Sequence, residues 1–273
     1  MDDICVKVLS WNLHGLAWPL SKDPRGRMDR VSAKVRELSP DIVLLQEVWL
    51  GSHLERLGRA LHPDWIPTCV RRRDGGPRGG LLALVNAAAG WRARSAPEFH
   101  AFTASAPVWR VWEGDGLGGK GVLTVELERD AARICAVNTH LQSQYSGIDY
   151  AEIREAQLLE LRDVVSHLQP SQPAIVAGDF NTDSRESLYS IVAALGTDLT
   201  AQARVRENNG TTANPRDDRP EWIDYIVAAK SQSYNVSGDL ELIVNESADV
   251  PFSDHSGLFC TISFRSKPEA GGR

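Results

Sequence analysis

The chain has 273 residues, of which 42% are hydrophobic and 24% charged, a mixture that suits a soluble globular protein with a sizeable core. Its net charge of -6 and pI near 5.7 argue against broad electrostatic adhesion to a polyphosphate backbone, which depends on Lys and Arg releasing condensed counterions. No apolar run is long enough to span a bilayer, and the first strand-like segment begins at Ile4, leaving no room for a signal peptide; the chain reads as a monomer, cytoplasmic or secreted after removal of a leader.

Val6 to Leu9 reads as a strand and Asp41 to Leu45 as a second, buried one, with Met28, Val31, Val35 and Leu38 placing an amphipathic helix between them. A short helix is expected from Leu54 to Leu61. The stretch from Pro67 to Gly80, dense in Arg, Gly and Pro, reads as an exposed loop or hairpin turn. Strands follow at Leu81 to Val85, Val122 to Leu127 and Ile134 to Asn138. A helix runs from Ile153 to Leu168 on the spacing of Ala156, Leu159, Val164 and Leu168, closed by Pro170 and Pro173. Ala174 to Ala177 is a short buried strand, Ser187 to Ala194 a helix, and Trp222 to Ala228 and Leu258 to Phe264 the last strands. No composition break divides this order, which predicts one domain over 1–265 and a disordered tail over 266–273.

The four cysteines, Cys5, Cys69, Cys135 and Cys260, form no CxxC pair, so buried thiols are expected in place of a zinc site or a disulfide framework. Asn-x-Ser/Thr triplets begin at Asn209, Asn235 and Asn245 and matter only in a secreted eukaryotic protein.

Polar residues recur where buried strands end, the place where α/β folds present their reactive groups. Asn12 closes the first strand, as a turn residue or as a donor to a phosphoryl oxygen. Glu47 follows the apolar run Ile42 to Leu45, and a carboxylate there is solvated, paired or metal-bound. His140 ends Val137-Asn138-Thr139, as a structural imidazole or a catalytic one. Asp179 and Asn181 alternate after Gly178, which sends both to one face in an extended chain, an Asx turn being the alternative. Asp224 is embedded among apolar residues and needs a partner. Asp254 adjoins His255, and an Asp-His pair fixes the tautomer that leaves one ring nitrogen free as a base. Hard oxygen ligands without clustered His or Cys point to Mg²⁺ or Mn²⁺.

In that order, Trp11-Asn12, Gln46-Glu47, Asn138-Thr139-His140, Gly178-Asp179-Phe180-Asn181, Asp224-Tyr225 and Ser253-Asp254-His255 resemble the motifs of the endonuclease/exonuclease/phosphatase superfamily. The resemblance implies the DNase I-like fold, a four-layer α/β sandwich of two facing mixed β-sheets flanked by helices. It implies Glu47 as principal Mg²⁺ ligand with Asn12 beside it, Asp179 and Asn181 orienting water and phosphate, and His140 stabilising the transition state. By the same resemblance His255 is the general base, and Asp224 and Asp254 orient it or help hold metal.

A finer likeness lies in Asp115-Gly116-Leu117-Gly118-Gly119-Lys120, which looks like the neutral sphingomyelinase branch, where such an Asp and Lys lie beside the active site; the alternative is a glycine-rich turn. The implied substrate is a phospholipid headgroup diester. DNA or RNA is the alternative, an inositol phosphate a second, and a binding module that has lost catalysis a reading of another class. His14 departs from the acidic residue that DNA-repair relatives carry there. Phe99, Phe102, Val108, Trp109, Val111 and Trp112 form an aromatic lip or pack in the core, and Arg71, Arg72, Arg73 and Arg78 contact phosphate or are simply solvated.

Overall fold

Along β1 (Ile4–Asn12) Ile4, Val6 and Val8 are buried while Cys5 and Lys7 between them are exposed, the period-two pattern of a strand with one covered face. From Leu9 onward both faces are buried, because α1 (Pro24–Leu38) closes over the outer one. Asp23 starts that helix by accepting the Gly26 amide at 3.1 Å, and Met28, Val31 and Val35 form its inner stripe. β2 (Ile42–Gln46) is buried throughout: Ile42 and Leu44 point into one core, Val43 and Leu45 into the other. This computed structural model describes residues 3–16, 23–106, 119–144, 150–168, 172–206, 210–213, 219–245 and 251–268.

The chain continues through α2 (Gly51–Leu61), β3 (Trp65–Thr68), β4 (Leu82–Asn86), β5 (Arg92–Ala93), β6 (Glu98–Ala101), β7 (Gly121–Arg129) and β8 (Ala132–His140). Then come α3 (Ala151–Ser166), β9 (Ala174–Asp179), α4 (Tyr189–Leu195), β10 (Gly196–Asp198), α5 (Ala201–Arg206), β11 (Thr212–Ala213), β12 (Pro220–Glu221), β13 (Asp224–Ala229), β14 (Tyr234–Ile243) and β15 (Gly257–Ser266). Among the described residues one sheet has six strands in the order β14-β15-β1-β2-β4-β3. The other has seven, in the order β10-β13-β9-β8-β7-β5 with β6 also on β7. Each sheet is mixed, with one parallel pair, β1 with β2 and β8 with β9, and antiparallel neighbours elsewhere. The inner faces share a core that includes Val8, Leu44, Val137, Val176 and Ile262, and helices cover the outer faces, giving the expected α/β sandwich. No helix among the described residues is long and apolar enough to cross a membrane.

Several expectations need correction. β3, β6 and β14 were not foreseen, and Pro67 and Thr68, assigned to a loop, belong to β3. The buried side of α3 is Arg154, Gln157, Leu158 and Leu161, while Leu159, expected inside, is 38% exposed. Polar groups take that face because each has a partner: Gln157 Oε1 accepts the Gln142 amide at 2.8 Å, and Arg154 Nη2 reaches Glu186 at 3.0 Å. Cys5 is exposed, on the solvent side of β1, whereas Cys135 and Cys260 are buried and burial pushes each thiol up to about 12. β15 extends one residue past the boundary at 265, and Lys267 N–H still bonds Ser233 O at 2.8 Å; the remainder of the tail from 269 on lies outside the described residues. Phe102 is packed inside and Phe99 is half-buried, the core-packing alternative for these two; Val108, Trp109, Val111 and Trp112 lie outside the described residues, as does Asp115.

Candidate active site

Strand register brings the polar positions together. His140 at the end of β8 lies opposite Asp179 at the end of β9, and Asp179 lies opposite Asp224 at the start of β13. On the facing sheet Asn12 pairs in register with Gln46, one residue before Glu47. The sheets are joined just behind the site by a buried polar bridge: Gln46 Nε2 donates to Asn138 Oδ1 at 2.7 Å, and Asn138 Nδ2 donates to Leu45 O at 2.9 Å and Leu82 O at 3.2 Å. Gly178 permits the β8–β9 approach, since it has φ 147° and a Cβ there would lie 2.0 Å from Thr139 O.

Asn12 is central to the cluster. Its Nδ2 donates to Asp179 Oδ2 at 2.9 Å and to Glu47 Oε1 at 3.1 Å, and its Oδ1 accepts the His14 amide at 3.0 Å. Glu47 adopts φ 58°, turning the chain sharply out of β2, and Gly15 passes so close that a Cβ would lie 2.2 Å from Glu47 O. Asn181 also has positive φ, 46°, and its amide donates to Asp179 Oδ1 at 2.9 Å. This is the Asx turn and not the extended alternation, so Asp179 both shapes the turn and faces the site. Asn181 Nδ2 is spent on Leu141 O at 2.9 Å.

His255 Nδ1 lies 2.9 Å from Asp224 Oδ2 and its Nε2 3.8 Å from Asp179 Oδ2. Burial would lower its pKa, but the charge of Asp224 and then Asp179 outweighs burial and raises it well above the ordinary histidine value. Asp179 is pushed up to about 7, by burial first and the neighbouring Asp224 second, against the pull of His255, Lys120 and Asn12. His140 is displaced the other way, well below its ordinary value, by burial and then by Lys120, whose Nζ donates to His140 Nε2 at 2.6 Å. The neutral ring therefore carries its proton on Nδ1, which is buried without a hydrogen-bond partner among the described residues. The Trp49 ring flanks it, 6.4 Å from centroid to centroid.

Asp254 does not pair with the adjacent His255. In the turn before β15, Asp254 Oδ2 meets His14 Nδ1 at 2.5 Å while its Oδ1 accepts from Ser253 Oγ at 3.1 Å. Burial would raise the Asp254 carboxyl, yet the His14 bond and the charges of His255 and His14 hold it well below the carboxylate range. His14 is raised in turn, chiefly by that bond.

Neighbouring residues, some inside the quoted motifs and some outside them, fix these groups. Ser253 Oγ donates to Asn12 O at 2.6 Å, and Trp11 Nε1 to His255 O at 2.9 Å, tying the 253–255 turn to the end of β1. Asn245, noticed only as a glycosylation triplet, holds the same turn by donating to Ser253 O at 2.7 Å and accepting the Phe252 amide at 2.6 Å. Thr211 Oγ1 accepts the amides of Ile223 and Asp224 at 3.2 and 3.3 Å.

Asp179, Asp224 and His255 present ligand atoms within 4.8 Å of one another, a spacing that suits a cation. Asp224 and His255 Nδ1 are, however, committed to each other, and an ion between them would break that bond. Glu47 has one carboxylate oxygen bonded to Asn12 and the other without a hydrogen bond among the described residues. Asp179, raised by burial and then by the charge of Asp224, and this Glu47 oxygen together fit a hard divalent cation on the Glu47 side. Chemically, the arrangement offers a carboxylate-backed imidazole, an amide–carboxylate pair to fix a water, and a Lys-His pair to meet negative charge.

A model of the Endonuclease/Exonuclease/phosphatase family matches residues 9–255. The inositol phosphosphingolipids phospholipase C of Schizosaccharomyces pombe is 28% identical over 199 residues, 70% of this chain and 44% of that protein, so the chain spans less than half the length of this relative. The sphingomyelinase C of Bacillus cereus is 22% identical over 84% of this chain and 76% of its own. The crystal structure of D. rerio TDP2 complexed with single strand DNA product is similar in fold, with a TM-score of 0.75 at 19% identity over 94% of this chain and 98% of that one.

Proposed function

The chain belongs to the endonuclease/exonuclease/phosphatase family, and from that premise we propose that it is a divalent-metal-dependent phosphodiesterase acting on a phospholipid headgroup diester. The observation that carries the reading is the buried Asp224–His255 pair, with its second nitrogen aimed at Asp179. Sphingolipid phosphodiesterases among the relatives support the substrate class.

In this reading Asp224 fixes the His255 tautomer, and Nε2 takes a proton from the attacking water. Asp179, held by Asn12 and by the Asn181 amide, orients that water, and Asn181 lines the phosphate. Lys120 meets the negative charge that develops on the non-bridging oxygens, and His140, whose Nε2 accepts from Lys120 and lies 3.5 Å from Asp179 Oδ2, stabilises the transition state there by holding that ammonium in place. Asp115, which the likeness to the neutral sphingomyelinase branch implies in substrate binding, lies outside the described residues. Glu47, with Asn12 beside it, would hold Mg²⁺ or Mn²⁺, and Asp254 would join them by giving up His14. A cation held there supplies Lewis-acid polarisation of a phosphoryl oxygen and positive charge against the carboxylates.

The test is Mg²⁺-dependent headgroup release from sphingomyelin and from inositol phosphosphingolipid in detergent micelles, beside nicking of plasmid DNA, with His255→Ala as the blank. Headgroup release that disappears in the variant is expected. Nicking without headgroup release would move the protein to nucleic-acid substrates.

A further inference from the structure

The turn between β3 and β4 carries Arg71-Arg72-Arg73-Asp74-Gly75-Gly76-Pro77-Arg78, a run that the catalytic reading leaves unused. It is firmly built. Arg71 bridges Pro77, Arg72 N donates to Gly76 O at 2.7 Å, Arg78 N to Val70 O at 2.8 Å, and Gly75 closes the tip with φ 84°. Asp74 accepts two bonds from Arg72, at 3.1 and 2.9 Å, and the same guanidinium donates to Trp49 O at 2.8 Å. Arg72 is thereby neutralised and fastens the turn to the residue that flanks His140. The stem touches the site on both sides: Val48 N donates to Gly80 O at 2.9 Å, and a Cβ on Gly79 would meet Gly119 O, next to Lys120, at 3.1 Å.

Arg71, Arg73 and Arg78 are exposed, and none makes an ion pair with a carboxylate among the described residues; Arg78 stacks over Phe99 at 4.9 Å. Charge-rich turns are usually solvated and nothing more. This one differs in being rigid, in sitting beside the Glu47–Trp49 and Lys120–His140 walls, and in concentrating uncompensated positive charge on a chain whose net charge is -6. We propose that Arg71, Arg73 and Arg78 form a docking rim that seats the mouth of the site on an anionic phospholipid surface. The proposal rests on the lipid reading of the site, and the rim reads the surrounding surface, not the headgroup being cut. All three residues are exposed even though Arg78 lies over Phe99 and Arg71 reaches the Cys69 thiol, which suits a diffuse charged plane better than one enclosed phosphate.

Each arginine held near an anionic leaflet strengthens partition by about fivefold, and three by about a hundredfold, at low ionic strength. Salt weakens the effect, because the Debye length is only about 8 Å at physiological ionic strength. The experiment is sedimentation of the full chain with phosphatidylcholine vesicles with and without phosphatidylserine. It compares the wild type, the double variant Arg71→Gln/Arg73→Gln, which spares the Phe99 stack, and the triple variant adding Arg78→Gln, each also assayed on a soluble chromogenic phosphodiester.

Salt-sensitive binding to the phosphatidylserine vesicles, reduced about twenty-fivefold in the double and a hundredfold in the triple variant with soluble turnover unchanged, is the expected result. Equal partition of all three proteins, or equal binding to neutral vesicles, overturns the rim. So does an equal loss of turnover on the soluble diester, which would place the arginines on the substrate itself. Vesicle binding that follows the arginines in a protein that releases no headgroup from any lipid supports the rim and sinks the headgroup reading alone.

Discussion

Replacing Asn138 by Leu breaks the polar bridge between the two sheets while nearly keeping its volume. Three buried groups lose a partner: Leu45 O, Leu82 O and Gln46 Nε2, the last of which retains Leu44 O at 3.1 Å. An unsatisfied buried group costs about 1–3 kcal/mol, and the surviving partners keep the sum near the lower end, so about 3–5 kcal/mol is expected. For a chain of this size that lowers the melting midpoint by about 10 °C. Asn138 lies two residues before His140 and Gln46 one before Glu47, so turnover should fall as well. The assay is urea unfolding of the single variants Asn138→Leu and Gln46→Leu and of the double variant. Removing both ends of the bond leaves fewer orphans than the two single changes added together, and the double variant should fall short of additivity by about 1–3 kcal/mol. A cost below about 1 kcal/mol for Asn138→Leu, or strict additivity, would refute the bridge as the element that registers the sheets.

Asp224→Asn keeps the shape beside His255 but removes its charge, and turnover should drop by about 10³–10⁴-fold with apparent metal affinity unchanged. Because Asp224 raises the His255 pKa, its loss should also move the acid limb of the pH–rate profile to lower pH; turnover within tenfold of wild type would exclude His255 as the base. Asp183 is buried, yet hydrogen bonds from Arg185 and from the Arg185 and Trp222 amides hold its carboxyl below the ordinary value. A depressed folded pKa contributes stability above the unfolded value that is lost as pH falls through the folded one, so Asp183→Asn should flatten the acid limb of stability at a cost of about 1–3 kcal/mol at neutral pH. Parallel stability–pH curves for the two proteins would contradict this.

Strand ends were legible because β2 and β9 are apolar on both faces and stop abruptly at Glu47 and Asp179, where a charge has no place in a core. Partner choice was not legible. Both Asp224 and Asp254 were candidates to orient His255, and it is Asp224 that register carries to it from β13. β14 escaped notice because Ser237-Gly238-Asp239 looks like a turn; it is an edge strand, with one side open to solvent and Gly238 lying against Cys260. The inner face of α3 was misplaced for a related reason: hydrophobicity locates a buried leucine but not a buried, fully partnered Gln157.

The site is divided between two sheets, one of which is closed by strands from opposite ends of the chain, with Trp11 bonded to His255 across 244 residues. Such long-range contacts carry a large loop-closure entropy and form late in folding. A chain that has zipped β7, β8 and β9 owns His140 and Asp179 but lacks Asn12, Glu47 and the 253–255 turn. Ordered secondary structure in this protein is therefore a poor proxy for competence, and catalysis itself is the sensor that reports when the last strand has come home.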